Sequence, residues 1–155
     1  MNKWLIFFVV CSIGGLIVLI VPKWQADRKN STTYTIRLGD TSILAEVANT
    51  EEKRIQGLSG RNALGNNQGM LFEFPNRGYH SMWMKQMKFP LDIVWILDDT
   101  VVGTSENVPN PRTDSDKLPV YTPPEAVNVV LEVNAGFSKQ HHVSKGTKIT
   151  INTRL

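Results

Sequence analysis

The stretch from Gly69 to Leu97, GMLFEFPNRGYHSMWMKQMKFPLDIVWIL, constrains the fold of this chain most, because apolar runs, turn signals and isolated charges alternate within it at short range. Met70, Phe72 and Phe74 share one face at period two, and Pro75-Asn76-Arg77-Gly78 has the chemistry that stops a strand. Tyr79 to Met84 alternates again, and a break at Phe89-Pro90 ends it. Leu91 to Leu97 is apolar enough to be covered on both faces. The stretch predicts three strands joined by two turns, and with them a β-rich domain.

The flanking sequence extends that pattern. Tyr34 to Leu38 and Ser42 to Ala48 alternate on either side of Gly39-Asp40 and read as a hairpin. Thr50 followed by Glu51 and Glu52 reads as a helix start, since a hydroxyl caps free amides and carboxylates complement the helix dipole; Gly57 ends that short helix. Leu58 to Asn67 is a loop. Asp98-Asp99-Thr100 turns the chain into a strand that opens at Val101-Val102. Val108 to Pro124 holds five prolines and reads as a long loop, a flap over a site or a mobile connection. Ala126 to Val133 is a strand with Val127, Val129, Leu131 and Val133 on one face and Asn128 and Glu132 on the other. Gly136 to His142 reads as a helical turn and Thr147 to Ile151 as a last strand. The expected fold is α+β but mostly β. It is a strongly curved sheet or half-open barrel of about seven or eight short strands with one or two short helices, preceded by one transmembrane helix.

That helix is expected from Trp4 to Val21, eighteen residues without a charge. At about 1.5 Å per residue it spans roughly 27 Å, close to the hydrocarbon thickness of a bilayer. Trp4 and Trp24 bracket it and Lys3 and Lys23 sit just outside, where the two interfaces favour amphipathic rings and snorkelling lysines. The exit Val21-Pro22-Lys23-Trp24-Gln25-Ala26 lacks the small residues of a cleavage site, and Val10 before Cys11 is no lipoprotein signal. The organisation read here is an uncleaved anchor over residues 1–24, a polar linker over 25–31 and a single globular domain over 32–155.

The net charge of +3 belongs to the anchor's flanks. Of seventeen lysines and arginines and fourteen carboxylates, Lys3, Lys23, Arg28, Lys29 and Asp27 precede Thr32, which leaves thirteen of each in the domain. A neutral domain gives no footprint for nucleic acid, while cationic flanks suit anionic headgroups. Cys11 is the single cysteine, so the domain has no disulfide, thiolate nucleophile or cysteine-bound zinc.

Four residues form the candidate binding surface: Arg61, Trp83, Lys85 and Asp92. Arg61 and Asp92 stand in the most motif-like segments, either as an arginine that clamps an anion which Asp92 orients, or as an internal ion pair tying the loop to the sheet. Trp83 and Lys85 share one strand face, a flat ring beside a donor, with Met84 on the other. His80, Met82 and Met84 place an imidazole and two thioethers on one face, a soft set for Cu(I) to which Met70, Met87, His141 and His142 could add; methionine is equally a filler of irregular cores. Ser59 and Ser81 lack a glycine-framed elbow. Three functions stay open at this point: a non-enzymatic binding or accessory module for a small molecule or protein, a hydrolase or isomerase of an anionic or saccharide substrate using Asp92 or Glu132, and a copper-handling protein. No organic cofactor is expected.

Gly57-Leu58, Arg61, Leu64, Gly69-Met70-Leu71-Phe72, Trp83-Met84-Lys85, Pro90-Leu91-Asp92-Ile93 and Val130-Leu131-Glu132-Val133 with Ala135-Gly136 occur in one order. From about Ser42 to Ile151 they resemble the bacterial and archaeal domain of unknown function 192 family. The resemblance implies a small, mostly β domain, commonly behind a signal or anchor, with no established activity. Gln86-Met87 stands where the family usually has an asparagine and a small residue, and Gly146-Thr147 where Gly-Asp is usual. Counting lysines and arginines slightly favours an internal C-terminus, but a short N-terminus is usually retained inside and the family often carries export signals. A single-pass protein of the cytoplasmic membrane with an extracytoplasmic domain is the expectation.

Overall fold

The computed structural model describes residues 32–111 and 118–153, together with Ser12–Ile13 and Leu16–Ile17. The chain divides into two units, Met1–Ser31 and Thr32–Leu155. In the first unit β1 (Ser12–Ile13) pairs antiparallel with β2 (Leu16–Ile17), so these four residues do not form the expected spanning helix. Gly14-Gly15 and the β-branched residues of the run lower helix propensity. No helix among the described residues is long and apolar enough to cross a membrane. The rest of the expected anchor and its linker lie outside the described residues.

The second unit is built on one seven-stranded sheet. Its strands in chain order are β3 (Thr33–Leu38), β4 (Thr41–Ala48), β5 (Gln68–Gly78), β7 (Leu91–Leu97), β8 (Thr100–Val108), β10 (Val127–Asn134) and β11 (Ile149–Thr153). Across the sheet they lie in the order β11-β3-β4-β5-β10-β7-β8. Every pairing is antiparallel except β4 with β5, whose parallel register runs from Leu44↔Gln68 to Ala48↔Phe72. A parallel neighbour needs a crossover, and the helix Glu51–Gln56 with the loop after it supplies one. Thr50 Oγ1 accepts the Lys53 amide at 3.3 Å, and Gly57, at φ +47°, donates its own amide to the Lys53 carbonyl. The sheet curls until its edges meet at one end. There the Val101 amide donates to Thr147 O at 2.9 Å and the Ile149 amide to Asp99 O at 2.8 Å, which makes the expected half-open barrel.

The expected boundaries move most at two places. The first strand of the central stretch runs on through Pro75 to Gly78, because a bulge lets Val127 pair with Gly78 while Val129 pairs with Glu73. Within that bulge the missing proline N–H costs no ladder bond. The second expected strand, Tyr79 to Met84, shrinks to β6 (Met82–Trp83), which leaves the main sheet and pairs with β9 (Val120–Tyr121). Residues 112–117 of the proline-bearing loop lie outside the described residues.

Alternation along the central strands divides the core in two. Ile36, Leu38, Ile43, Leu71, Val94, Ile96, Leu131, Val133 and Phe137 fill the inside of the curl. On the outer face Ala48, Met70, Phe72, Ile93, Trp95 and Val130 are covered by Leu58, Leu64, Met82, Met84 and Met87 from the connecting segments. Each fully buried aliphatic or aromatic side chain contributes about 1.5–3 kcal/mol, so both layers are needed. The outer one decides the setting of the candidate residues.

Candidate functional site

Arg61 hangs from the loop Leu58–Asn67 over the outer face of the sheet. Its Nη1 pairs with Glu46 Oε1 and its Nη2 donates to Oε2 at 2.8 Å, a fork that ties the loop to β4. Both side chains are largely covered, Arg61 16% and Glu46 23% exposed. The sheet register places a second carboxyl close by. Glu46 lies beside Met70, Met70 beside Glu132, and Glu132 beside Ile93, so the two glutamates share one row, two strands apart, with Met70 between them. Strands stand about 4.8 Å apart, so their backbones are roughly 10 Å from each other.

Glu132 is buried, not exposed as simple strand alternation would have it, because the outer face is roofed by the loop segments. Burial pushes its carboxyl up to about 8, and the positive charge of Arg61 pulls in the opposite direction. At neutral pH this group holds its proton. The signal for it in the sequence is a lone carboxylate inside Val129-Val130-Leu131-Glu132-Val133, a strand apolar on both sides.

Asp92 sits elsewhere. Leu91 and Ile93 face outward, and Asp92 faces inward with Val94 and Ile96, on the opposite side of the sheet from Arg61. It is fully buried and accepts three backbone amides: Asn107 at 2.8 Å and Gly136 at 3.0 Å on Oδ1, Ser138 at 2.8 Å on Oδ2. The expected Arg61 with Asp92 pairing, whether as ligand clamp or ion pair, is therefore corrected. Arg61 does tie the loop to the sheet, but through Glu46, and Asp92 joins β8 and the turn into the helix Phe137–Gln140 to β7.

Trp83 and Lys85 face water together. The Trp83 side is 48% exposed, the Lys85 ammonium lies 5.1 Å from the ring centroid, and across the β6–β9 ladder Trp83 pairs with Val120, which is 61% exposed. Met82 and Met84 point the other way and are buried in the outer layer. His80 stacks flat on Phe74, centroids 3.8 Å apart, with Nε2 2.8 Å from the Asn76 carbonyl. The soft trio of the sequence is thus divided between packing and a ring stack. Among the described residues no three His, Cys, Asp or Glu side chains cluster to hold a metal ion.

Two hydrogen bonds couple these neighbourhoods: Ser59 Oγ donates to the Lys85 carbonyl at 2.9 Å and the Gly60 amide to the Gln86 carbonyl at 3.0 Å. The Arg61 loop and the Trp83–Lys85 segment are one layer.

A family model described as Uncharacterized ACR, domain of unknown function 192, matches residues 34–151. The chain belongs to that family. The match begins at Tyr34 in β3, ahead of the Ser42 read from the motifs. The solved structures include a protein from Sinorhizobium meliloti 1021 described as a candidate transcription regulator. It is 31% identical, with a TM-score of 0.71, over 78% of this chain and 95% of that one. A protein of unknown function from Novosphingobium aromaticivorans DSM 12444 shares the fold, at 21% identity and a TM-score of 0.66 over 94% of each chain. No curated protein matches.

Membership of the domain of unknown function 192 family gives the two departures a physical meaning. Gln86 has a φ of +55°, the left-handed region that asparagine tolerates better than glutamine, and Met87 after it fills the outer layer. Thr147 Oγ1 accepts the Ser144 amide at 3.0 Å, a bond that the aspartate usual in the family could also accept.

Proposed function

We propose that the globular unit is a non-enzymatic binding or accessory module at the outer face of a cytoplasmic membrane. The observation that carries the binding reading is the Trp83–Lys85 surface. A half-exposed ring with a cation above it and an exposed valine beside it is costly to leave in water and suited to a ligand with a flat apolar face and a negative group. Arg61 and Asp92, by contrast, are each tied into the fold, Arg61 by its fork on Glu46 and Asp92 by three backbone amides. The regulatory role in the description of the S. meliloti relative is not carried over, since thirteen basic and thirteen acidic residues leave the unit without net charge.

A thermal-shift screen of Thr32–Leu155 against acidic sugars, nucleotides and cell-wall fragments tests the reading. A ligand at about a hundred times its dissociation constant adds roughly 2.7 kcal/mol. A hit lost in Trp83→Ala and Lys85→Ala supports the surface; a hit indifferent to both moves the site elsewhere. The membrane part is tested by carbonate extraction and by protease access to the domain in intact cells.

One observation favours a second reading. A carboxyl raised by burial to about 8, within reach of the charge of Arg61, is the form a general acid takes, which keeps open a hydrolase or isomerase using Glu132. Turnover with a pH–rate profile unchanged in Glu132→Gln would end it.

A further inference from the structure

Glu46, Arg61 and Glu132 have a geometry that neither the binding surface nor the packing of the core requires. Two carboxyls lie in one row of the outer face, and a single guanidinium, from a loop with no regular secondary structure, forks onto Glu46 and is near enough for its charge to act on Glu132. The strands flanking Glu132 present Met70 and Ile93 to this row, β4 presents Glu46, and the covering loop presents Arg61. One cation thus acts on two acids, on Glu46 by contact and on Glu132 by its charge. We propose that the three side chains form a latch whose hold on the loop Leu58–Asn67 depends on whether Glu132 carries a proton.

With the proton on, the site holds one positive and one negative charge, the Arg61–Glu46 fork, and a neutral acid that burial tolerates. With the proton off, it holds two carboxylates for one guanidinium in a covered place, and lifting the loop lets water reach both. Glu132 titrates at about 8 under the closed loop and near the ordinary 4.5 once water reaches it. Between those values each pH unit raises the open-to-closed ratio up to about tenfold, since opening releases one proton. Because Ser59 and Gly60 bond to the Lys85 and Gln86 carbonyls, opening is passed to the Trp83–Lys85 segment. This last step rests on the binding reading; the latch itself does not.

Hydrogen exchange on the full chain from pH 6 to 9, corrected for the intrinsic base-catalysed rate, reads the latch without any ligand. The signal is the amides of Ser59, Gly60 and Arg61, which donate to Gln56, Gln86 and Leu58. In the wild type their protection falls up to about tenfold per pH unit and levels off near 8, while in Glu132→Gln it stays flat. A flat wild-type profile, or the same slope in Glu132→Gln, overturns the proposal. Should Glu132→Gln fold poorly, Glu46→Gln serves instead: Arg61 then turns to Glu132 and the levelling-off moves to lower pH. An unmoved level overturns the proposal as well. A failed ligand screen leaves all of these outcomes readable.

Discussion

Arg61 and Glu46 meet fork to fork, guanidinium on carboxylate, and through them a loop of the covering layer is fastened to β4. The pair is mostly shielded from water, so it lies between an exposed ion pair of about 0–1 kcal/mol and a fully buried one whose rupture costs about 3–5. Arg61→Ala is expected to destabilise the domain by about 1–3 kcal/mol in urea unfolding, and Arg61→Lys to recover less than half, because an ammonium cannot form the fork.

Asp92→Asn keeps the shape of the side chain but turns an amide NH2 toward at least one of three backbone donors. The expected loss is about 2–4 kcal/mol, with the near-ultraviolet spectrum of Trp95 on the same strand as a second readout. Any ligand found for the Trp83 surface should bind the folded fraction of this variant as it binds the wild type.

Glu132 makes stability depend on pH with a definite sign. Its folded value, about 8, is above the ordinary 4.5, so the folded state holds a proton that the unfolded chain gives up between those values. The stabilisation is complete below about pH 4.5, is lost as pH rises, and is gone above about 8. Up to about 5 kcal/mol is involved. Glu132→Gln should remove most of the slope and be the more stable protein at pH 8.5, as urea midpoints at pH 5.5 and 8.5 would show.

Gln86→Asn is expected to stabilise the domain by about 0.5–1 kcal/mol, since the left-handed backbone at this position is costly for a glutamine and tolerated by asparagine. Differential scanning calorimetry would register an upward shift; a downward one would mean that the glutamine side chain makes a contact worth more than the strain.

Gly69→Ala places a methyl 2.9 Å from the Glu132 carbonyl and 2.9 Å from Ile43 Cδ1. The backbone partner cannot move without disturbing β10, so a loss of about 1–3 kcal/mol is expected in the same urea assay.

Local chemistry was the legible part of this protein. The Gly39 hairpin, the Thr50 cap, the Gly57 stop and the doubly covered strand Leu91–Leu97 all follow from residues within a few positions of one another. Partnership across the sheet was not legible in the same way. Nothing near Arg61 in the chain points to Glu46, because their meeting depends on β4 running parallel to β5, a pairing set by the crossover and by both cores at once. The same holds for Asp92, whose facing follows from alternation but whose three amide donors come from β8, from Gly136 and from the helix Phe137–Gln140. Glu132 stands out in the sequence as a lone carboxylate in an apolar strand, but its burial does not. Alternation puts it on the outer face, and only the roof of Leu58, Leu64 and the methionines makes that face an interior.

The seam between Asp99–Val101 and Thr147–Ile149 bears on the order in which the protein can be made. β3, near the start of the unit, has β11, near its end, as its outer neighbour, from Leu38↔Ile149 to Tyr34↔Thr153. A ribosome therefore releases nearly the whole unit before the first strand gains its second partner, and contacts this distant in sequence fold slowly. Until then Tyr34–Leu38 presents an unpaired edge, open to any other extended chain nearby. Synthesis stalled before Ile149 would leave an aggregation-prone nascent chain instead of a slightly shortened protein.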